Sequence, residues 1–105
     1  MYQLKFLERE NDLNKIIKSN KRRGFISILF VSLWDKYSSN ILDKVKKAYK
    51  DSKEGEPLYI VDSFNMPHSF VIYNTTKVPH LIQLRRGEVL SEDYLPTVMK
   101  ALKIS

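Results

Sequence analysis

Apolar and polar positions alternate from Tyr2 to Leu7, with Tyr2, Leu4 and Phe6 on one face, and this period predicts a strand. The period then lengthens. Leu13, Ile16 and Ile17 recur at helical spacing, Lys15 and Lys18 lie toward the wet side, and Asn11 or Asp12 can cap the start. Residues 19–24 bring basic side chains and Gly24, which suit a helix C-terminus. Residues 25–33 are nearly all apolar, as in a strand buried on both faces at the middle of a sheet. Trp34, Asp35, Lys36 and Tyr37 leave that strand. Ser38, Ser39 and Asn40 are the expected N-cap choices for a long helix. Its apolar stripe is Ile41, Leu42, Val45, Ala48 and Tyr49, and Lys44, Lys46, Lys47, Lys50 and Lys53 cover much of the rest. This helix ends before Gly55 and Pro57.

Leu58 to Val61 predicts a short strand ending at Asp62. Pro67 suits the first residue of a short helix that turns Phe70, Val71 and Tyr73 inward. Val78-Pro79 precedes a strand from His80 to Arg85, and Arg86-Gly87 is a tight turn into Glu88-Val89-Leu90. Asp93 is the expected cap of a last helix, with Pro96 in its first turn and Leu95, Val98, Met99 and Leu102 as its buried stripe. The order is βαβαβαββα. Early alternation implies parallel strands and the final hairpin an antiparallel edge. The expected architecture is α/β: a central mixed sheet with helices on both faces, built as one domain from the 105 residues.

Composition narrows the chemistry. Hydrophobic residues make up 43% of the chain, enough for a real core. No apolar run approaches the ~20 residues that span a bilayer, and the first residues do not resemble a secretory signal. The expectation is a cytoplasmic protein with no membrane partner. The absence of cysteine excludes disulfides, thiol nucleophiles and thiolate metal sites. Thirteen Lys or Arg against six Asp or Glu fall in residues 1–53, so the basic charge is concentrated there. Lys outnumbers Arg thirteen to five, which favours a solvated surface over bidentate phosphate recognition. Lys15, Lys18, Lys21, Arg22 and Arg23, with the lysines of the long helix, form the one basic cluster that an anionic partner would meet.

The run Leu33-Trp34-Asp35-Lys36-Tyr37-Ser38-Ser39-Asn40-Ile41, with Val78-Pro79 and Gly87-Glu88-Val89 further on, resembles the thioredoxin family. The resemblance covers nearly the whole chain and implies the thioredoxin-like fold. Trp34 matches the family's first Trp, and Tyr37 stands for its second. Ser38 and Ile41 occupy the positions of the cysteine pair, and Ser32 that of the buried acid. The resemblance also implies a Val78-Pro79 bond in the cis form and a Trp34 packed partly against the fold. Asp35 and Lys36 read as solvated.

Without a thiol, the helix N-terminus has nothing to activate. Several readings follow. The leading one is a redox-inactive, protein-binding or accessory module with no cofactor. It uses Trp34, Tyr37, Ser38, Ser39, Val78 and Pro79, the former active-site and cis-proline groove, to dock an extended segment of a partner. A second is a glutathione- or serine-dependent enzyme, in which Ser38 or Tyr37 holds glutathione or Ser38 is activated by His80. A third is a basic accessory protein on nucleic acid. His68 and His80 are the only histidines, and no carboxylate pair stands at ligand spacing beside them, so no metal site is expected.

Overall fold

The computed structural model describes residues 2–20, 25–49, 55–94 and 97–103. Within them the elements are β1 (Tyr2–Phe6), α1 (Glu10–Asn20), β2 (Phe25–Val31), α2 (Lys36–Tyr49), β3 (Glu56–Asp62), α3 (Pro67–Ile72), β4 (His80–Arg85), β5 (Glu88–Tyr94) and α4 (Thr97–Ala101). The parts of the sequence reading that rest on Lys21, Arg22, Arg23, Gly24, Lys50, Lys53, Leu95 and Pro96 lie outside the described residues.

The strands form one five-stranded sheet in the order β1-β3-β2-β4-β5. β1 and β2 run parallel to β3, whereas β4 is antiparallel to β2 and β5 to β4. The apolar β2 is therefore the middle strand, and Ile28, Leu29, Phe30 and Val31 are all buried. Each side chain of this kind contributes about 1.5–3 kcal/mol by leaving water. Strand alternation sorts the core into two layers. Leu29, Val31, Leu58, Ile60 and Leu81 meet Ile41, Leu42 and Val45 of α2 and Val98 of α4 on one face. Ile26, Ile28, Phe30, Val61, Ile82 and Leu84 meet Leu13 of α1 and the α3 region, through Met66 and Phe70, on the other. α2 and α4 thus share one face, α1 and α3 the opposite one. Tyr49 donates its hydroxyl to Leu102 O, and its ring meets Tyr2 edge-on at 5.3 Å, which ties β1, α2 and the end of α4 together.

Several boundaries differ from the sequence reading. α1 begins at Glu10, so Asn11 and Asp12 lie in its first turn. The Glu10 carboxylate instead crosses to α3, where it accepts hydrogen bonds from His68 N at 3.0 Å, from Ser69 N at 3.3 Å and from the Ser69 hydroxyl. β2 stops at Val31, and Leu33 is exposed in the turn beyond it. Ala48 faces solvent rather than the core. Phe70 of α3 and Tyr73 just beyond it pack over Phe30 as expected, but Val71 points outward. β5 continues to Tyr94, so Asp93 sits opposite Leu81 in the sheet and does not cap a helix. A full ladder of main-chain bonds outweighs one side-chain cap. Arg86 and Gly87 both have left-handed backbone, φ 53° and 84°, which is the two-residue hairpin turn that matches strand twist.

Candidate functional site

Topology brings the segments around the predicted site to one end of the sheet. β2 ends at Val31 and its parallel neighbour β3 at Asp62, while the antiparallel β4 starts there, with His80 opposite Phe30. The corner from β2 into α2, the turn after β3 and the segment leading into β4 therefore emerge together.

At the first corner, Asp35 N donates to Ser32 O at 3.0 Å, closing a turn that carries Leu33 and Trp34 outward. Trp34 is 86% exposed and does not pack against the fold, which corrects the expectation carried by the resemblance. Tyr37, at the same corner, is 62% exposed. The helix start also differs. Asp35 Oδ2 accepts from Ser38 N at 2.7 Å, and Asp35 O accepts from Ser39 N at 3.0 Å, so Asp35 is the N-cap. It is not merely solvated, and Ser38, Ser39 and Asn40 lie inside the helix. A carboxylate is the better cap, because it meets the positive end of the helix dipole as well as an amide. One consequence is that Ser38 falls on the inward side of α2. It is 1% exposed, and its hydroxyl has no hydrogen-bond partner among the described residues. Ser39 faces solvent, and Ile41 belongs to the core.

On the facing segment, the Val78-Pro79 peptide bond is cis. Val78 is half-buried and Pro79 buried, so Val78 is the more accessible of the two. His80 is fully buried, on the α1 and α3 side of the sheet. Its ring stacks on Tyr94 at 4.2 Å and beside Phe30 at 5.8 Å, and its Nδ1 lies 3.0 Å from the Thr75 hydroxyl. Burial holds the His80 pKa below the usual imidazole value, against the opposing pull of the Glu92 carboxylate. Ser38 sits under α2 on the opposite face. The two side chains are separated by the sheet, so the serine–histidine pair weighed from sequence does not form.

The turn after β3 adds residues that the sequence reading missed. Asp62 Oδ1 accepts from Phe64 N and Asn65 N, each at 2.9 Å, and this turn projects Phe64 into solvent, 71% exposed. An Asp at a strand end followed by Ser and Asn is a turn signal, so Phe64 was findable at a loop tip. A cavity of about 230 Å³ opens beside Leu33, between Phe6, Leu42, Ile60 and Asn65. A larger one, of about 330 Å³, lies between α1 and the starts of β2 and β3, lined by Lys15, Phe25, Pro57 and Tyr59. It is at the other end of the strands and plays no part in this site. The basic cluster inferred from sequence is divided: Lys15 and Lys18 ride on α1, and Lys44, Lys46 and Lys47 on α2, on opposite faces.

A mixed five-stranded sheet with this strand order, helices on both faces and a cis-proline strand beside the start of α2 defines a thioredoxin-like α/β fold, here without cysteine. Solved thioredoxins agree. That of Schistosoma mansoni matches with a TM-score of 0.78 at 19% identity, over 96% of this chain and 96% of that one. The Fasciola hepatica thioredoxin gives 0.72 at 22% identity over 94% and 96% of the two chains, and that of Trypanosoma brucei brucei 0.75 at 12% over 96% and 86%. No protein-family model and no curated protein matches the sequence. At these identities the likeness is one of fold.

Proposed function

We propose that this chain is a redox-inactive binding module that docks an extended segment of a partner protein at the end of the sheet where Trp34, Tyr37, Ser39 and Val78-Pro79 emerge. The observation that carries the reading is the group of large apolar side chains left in solvent there: Leu33, Trp34, Tyr37 and Phe64. Exposed aromatics of this size are the usual anchors of protein interfaces. Without cysteine the site has no dithiol chemistry, so contact is what remains to it. The main chain at Val78 is available to add a strand-like partner, and the side chains across from it supply the apolar contact. Ser38 is buried on the inward side of α2 and does not touch the partner. Its burial also weakens the readings in which Ser38 itself holds glutathione or acts as a nucleophile, since a substrate has no path to a hydroxyl that is 1% exposed. The division of the basic residues between two faces weakens the nucleic-acid reading.

The test begins with nuclease-treated capture of a partner by the full chain. The affinity of the purified partner is then measured for wild type, Trp34→Ala and Tyr37→Ala. An anchor residue is worth about 2 kcal/mol or more, roughly a 30-fold loss. The expected result is a loss of that size in at least one variant, with unchanged circular dichroism and melting. Equal affinities in all three proteins place the interface elsewhere.

A further inference from the structure

The larger of the two cavities, about 330 Å³, lies at the opposite end of the strands from the docking surface, between α1 and the first residues of β2 and β3. Local sequence explains why it is there. Lys15 and Ser19 stand four residues apart on α1, so they share one side of the helix. β2 and β3 run parallel and start at the same end, which sets Phe25 and Ile26 beside Pro57 and Tyr59. Over these strand starts α1 offers a lysine and a serine, and the serine is too short to fill the space. Ile26 is buried, while Ile16, Pro57 and Tyr59 are half-buried, so these residues form the floor. Lys15, Ser19 and Phe25 are exposed and form the mouth.

Size, walls and polar groups together select an occupant. Small-molecule sites span about 300–1,000 Å³, so this space suits a small organic molecule. The cavity beside Leu33, at about 230 Å³, falls short of that range. The floor is apolar, and Phe25 and Tyr59 add two aromatic rings, which suit a ring in the ligand. The polar groups are donors without acceptors: neither Lys15 nor the Tyr59 hydroxyl has a hydrogen-bond or ion-pair partner among the described residues. Burial pushes the Tyr59 phenol up, so it keeps its proton at neutral pH. No carboxylate is among the lining residues. The Arg85 guanidinium, 5.4 Å from the centroid of the Phe25 ring, adds to the positive character of the mouth. An anionic acceptor on an apolar ring would satisfy the donors and cover the floor at once. Lys15 is the one cation among the lining residues, so a single negative charge is matched and a second is not.

We infer that this cavity is a binding site for a small aromatic carboxylate, whose ring covers the apolar floor and whose carboxylate faces Lys15, with the Tyr59 hydroxyl as a second donor. The site is separate from the docking surface and does not depend on what binds there. It also gives Lys15, part of the basic first half of the chain, a role that docking leaves unexplained.

The test titrates the whole chain with phenylpropanoate, with phenylpropanol as the uncharged counterpart and phenyl phosphate as the more highly charged one. Amide NMR spectra are expected to show saturable shifts at Ile16, Ser19, Ile26 and Tyr59, with a Kd of about 1 mM or tighter. The alcohol and the phosphate each bind more weakly, by about threefold or more. Lys15→Gln weakens the carboxylate by about threefold to tenfold and leaves the alcohol unchanged. Tyr59→Phe keeps the ring and weakens the carboxylate by about threefold. Ser19→Phe, at an exposed helix position, keeps the melting temperature and blocks both the carboxylate and the alcohol. Shifts that do not saturate, or that centre on Leu33 and Phe64, overturn the proposal. So does an alcohol or a phosphate that binds as tightly as the carboxylate, or a carboxylate affinity that Lys15→Gln and Tyr59→Phe both leave unchanged.

Discussion

Asp35 and Ser38 sit three residues apart, and each does work that its type alone does not announce. The Asp35 carboxylate holds the Ser38 amide at 2.7 Å at the positive end of α2. Replacing it with Ala leaves that amide without its acceptor. Asp35→Ala is expected to cost about 1 kcal/mol, which lowers the melting temperature by about 4–8 °C in a domain near this size. Ser38→Ala has the opposite expectation. Its hydroxyl is buried with no partner among the described residues, so removing it is neutral or mildly stabilising. Thermal melts of the two variants side by side check both statements. A Ser38→Ala loss larger than that of Asp35→Ala would mean that Ser38 is the true cap.

At the scale of elements, the sequence was most readable where periodicity was strong and local. β2 announced itself by its run of apolar residues, α2 by its stripe, and the hairpin by Arg86-Gly87. The cap of α2 was misassigned because Ser38, Ser39 and Asn40 are all good caps, and only the turn from Ser32 to Asp35 decides among them. The end of β5 was misread for a related reason: Asp93 before Pro96 looks like a helix start, but β4 offers a partner strand as far as Tyr94. At the candidate site, the exposure of Tyr37 agrees with its place among the docking residues, whereas that of Trp34 is not legible in the sequence, because exposure depends on the direction of a turn. The face on which His80 lies follows from register with β2, which no local pattern encodes. The hairpin gives a prediction at this scale. Gly87 has φ 84°, where a branched side chain collides with its own backbone. Gly87→Val is expected to destabilise by about 1–2 kcal/mol, seen as a lower urea midpoint with an unchanged slope. An unchanged midpoint would show that the turn relaxes into another form.

Across the whole molecule, the buried titratable groups define a window of stability. His80 has its pKa lowered by burial in the folded chain, so the unfolded chain takes up a proton first as pH falls. Its contribution is present above the unfolded value of about 6.5 and is lost as pH drops below it. Tyr2, Tyr49, Tyr59 and Tyr73 have theirs raised, chiefly by burial, so the unfolded chain releases protons first as pH climbs. Their contribution is present below about 10 and is lost above it. Urea midpoints measured across pH are therefore expected to form a plateau between these limits with a fall on each side. A steady slope through neutral pH would point to other groups.

The helix that begins at Lys36 also bears on whether the molecule can be engineered into an oxidoreductase. Two substitutions, Ser38→Cys and Ile41→Cys, would place a cysteine pair three residues apart at the head of this helix. Both sites lie on the inward side of α2, at 1% and 2% exposure, and the first is shielded because Asp35 caps the helix ahead of it. A thiol there is out of reach of a substrate disulfide. With a dithiobenzoate reagent, Cys at 38 is expected to react at least about a hundredfold more slowly than Cys at the exposed neighbour Ser39, since reactivity follows access as well as thiolate character. A reactive thiol in this fold therefore needs the corner from Ser32 to Asp35 rebuilt as well as sulfur added.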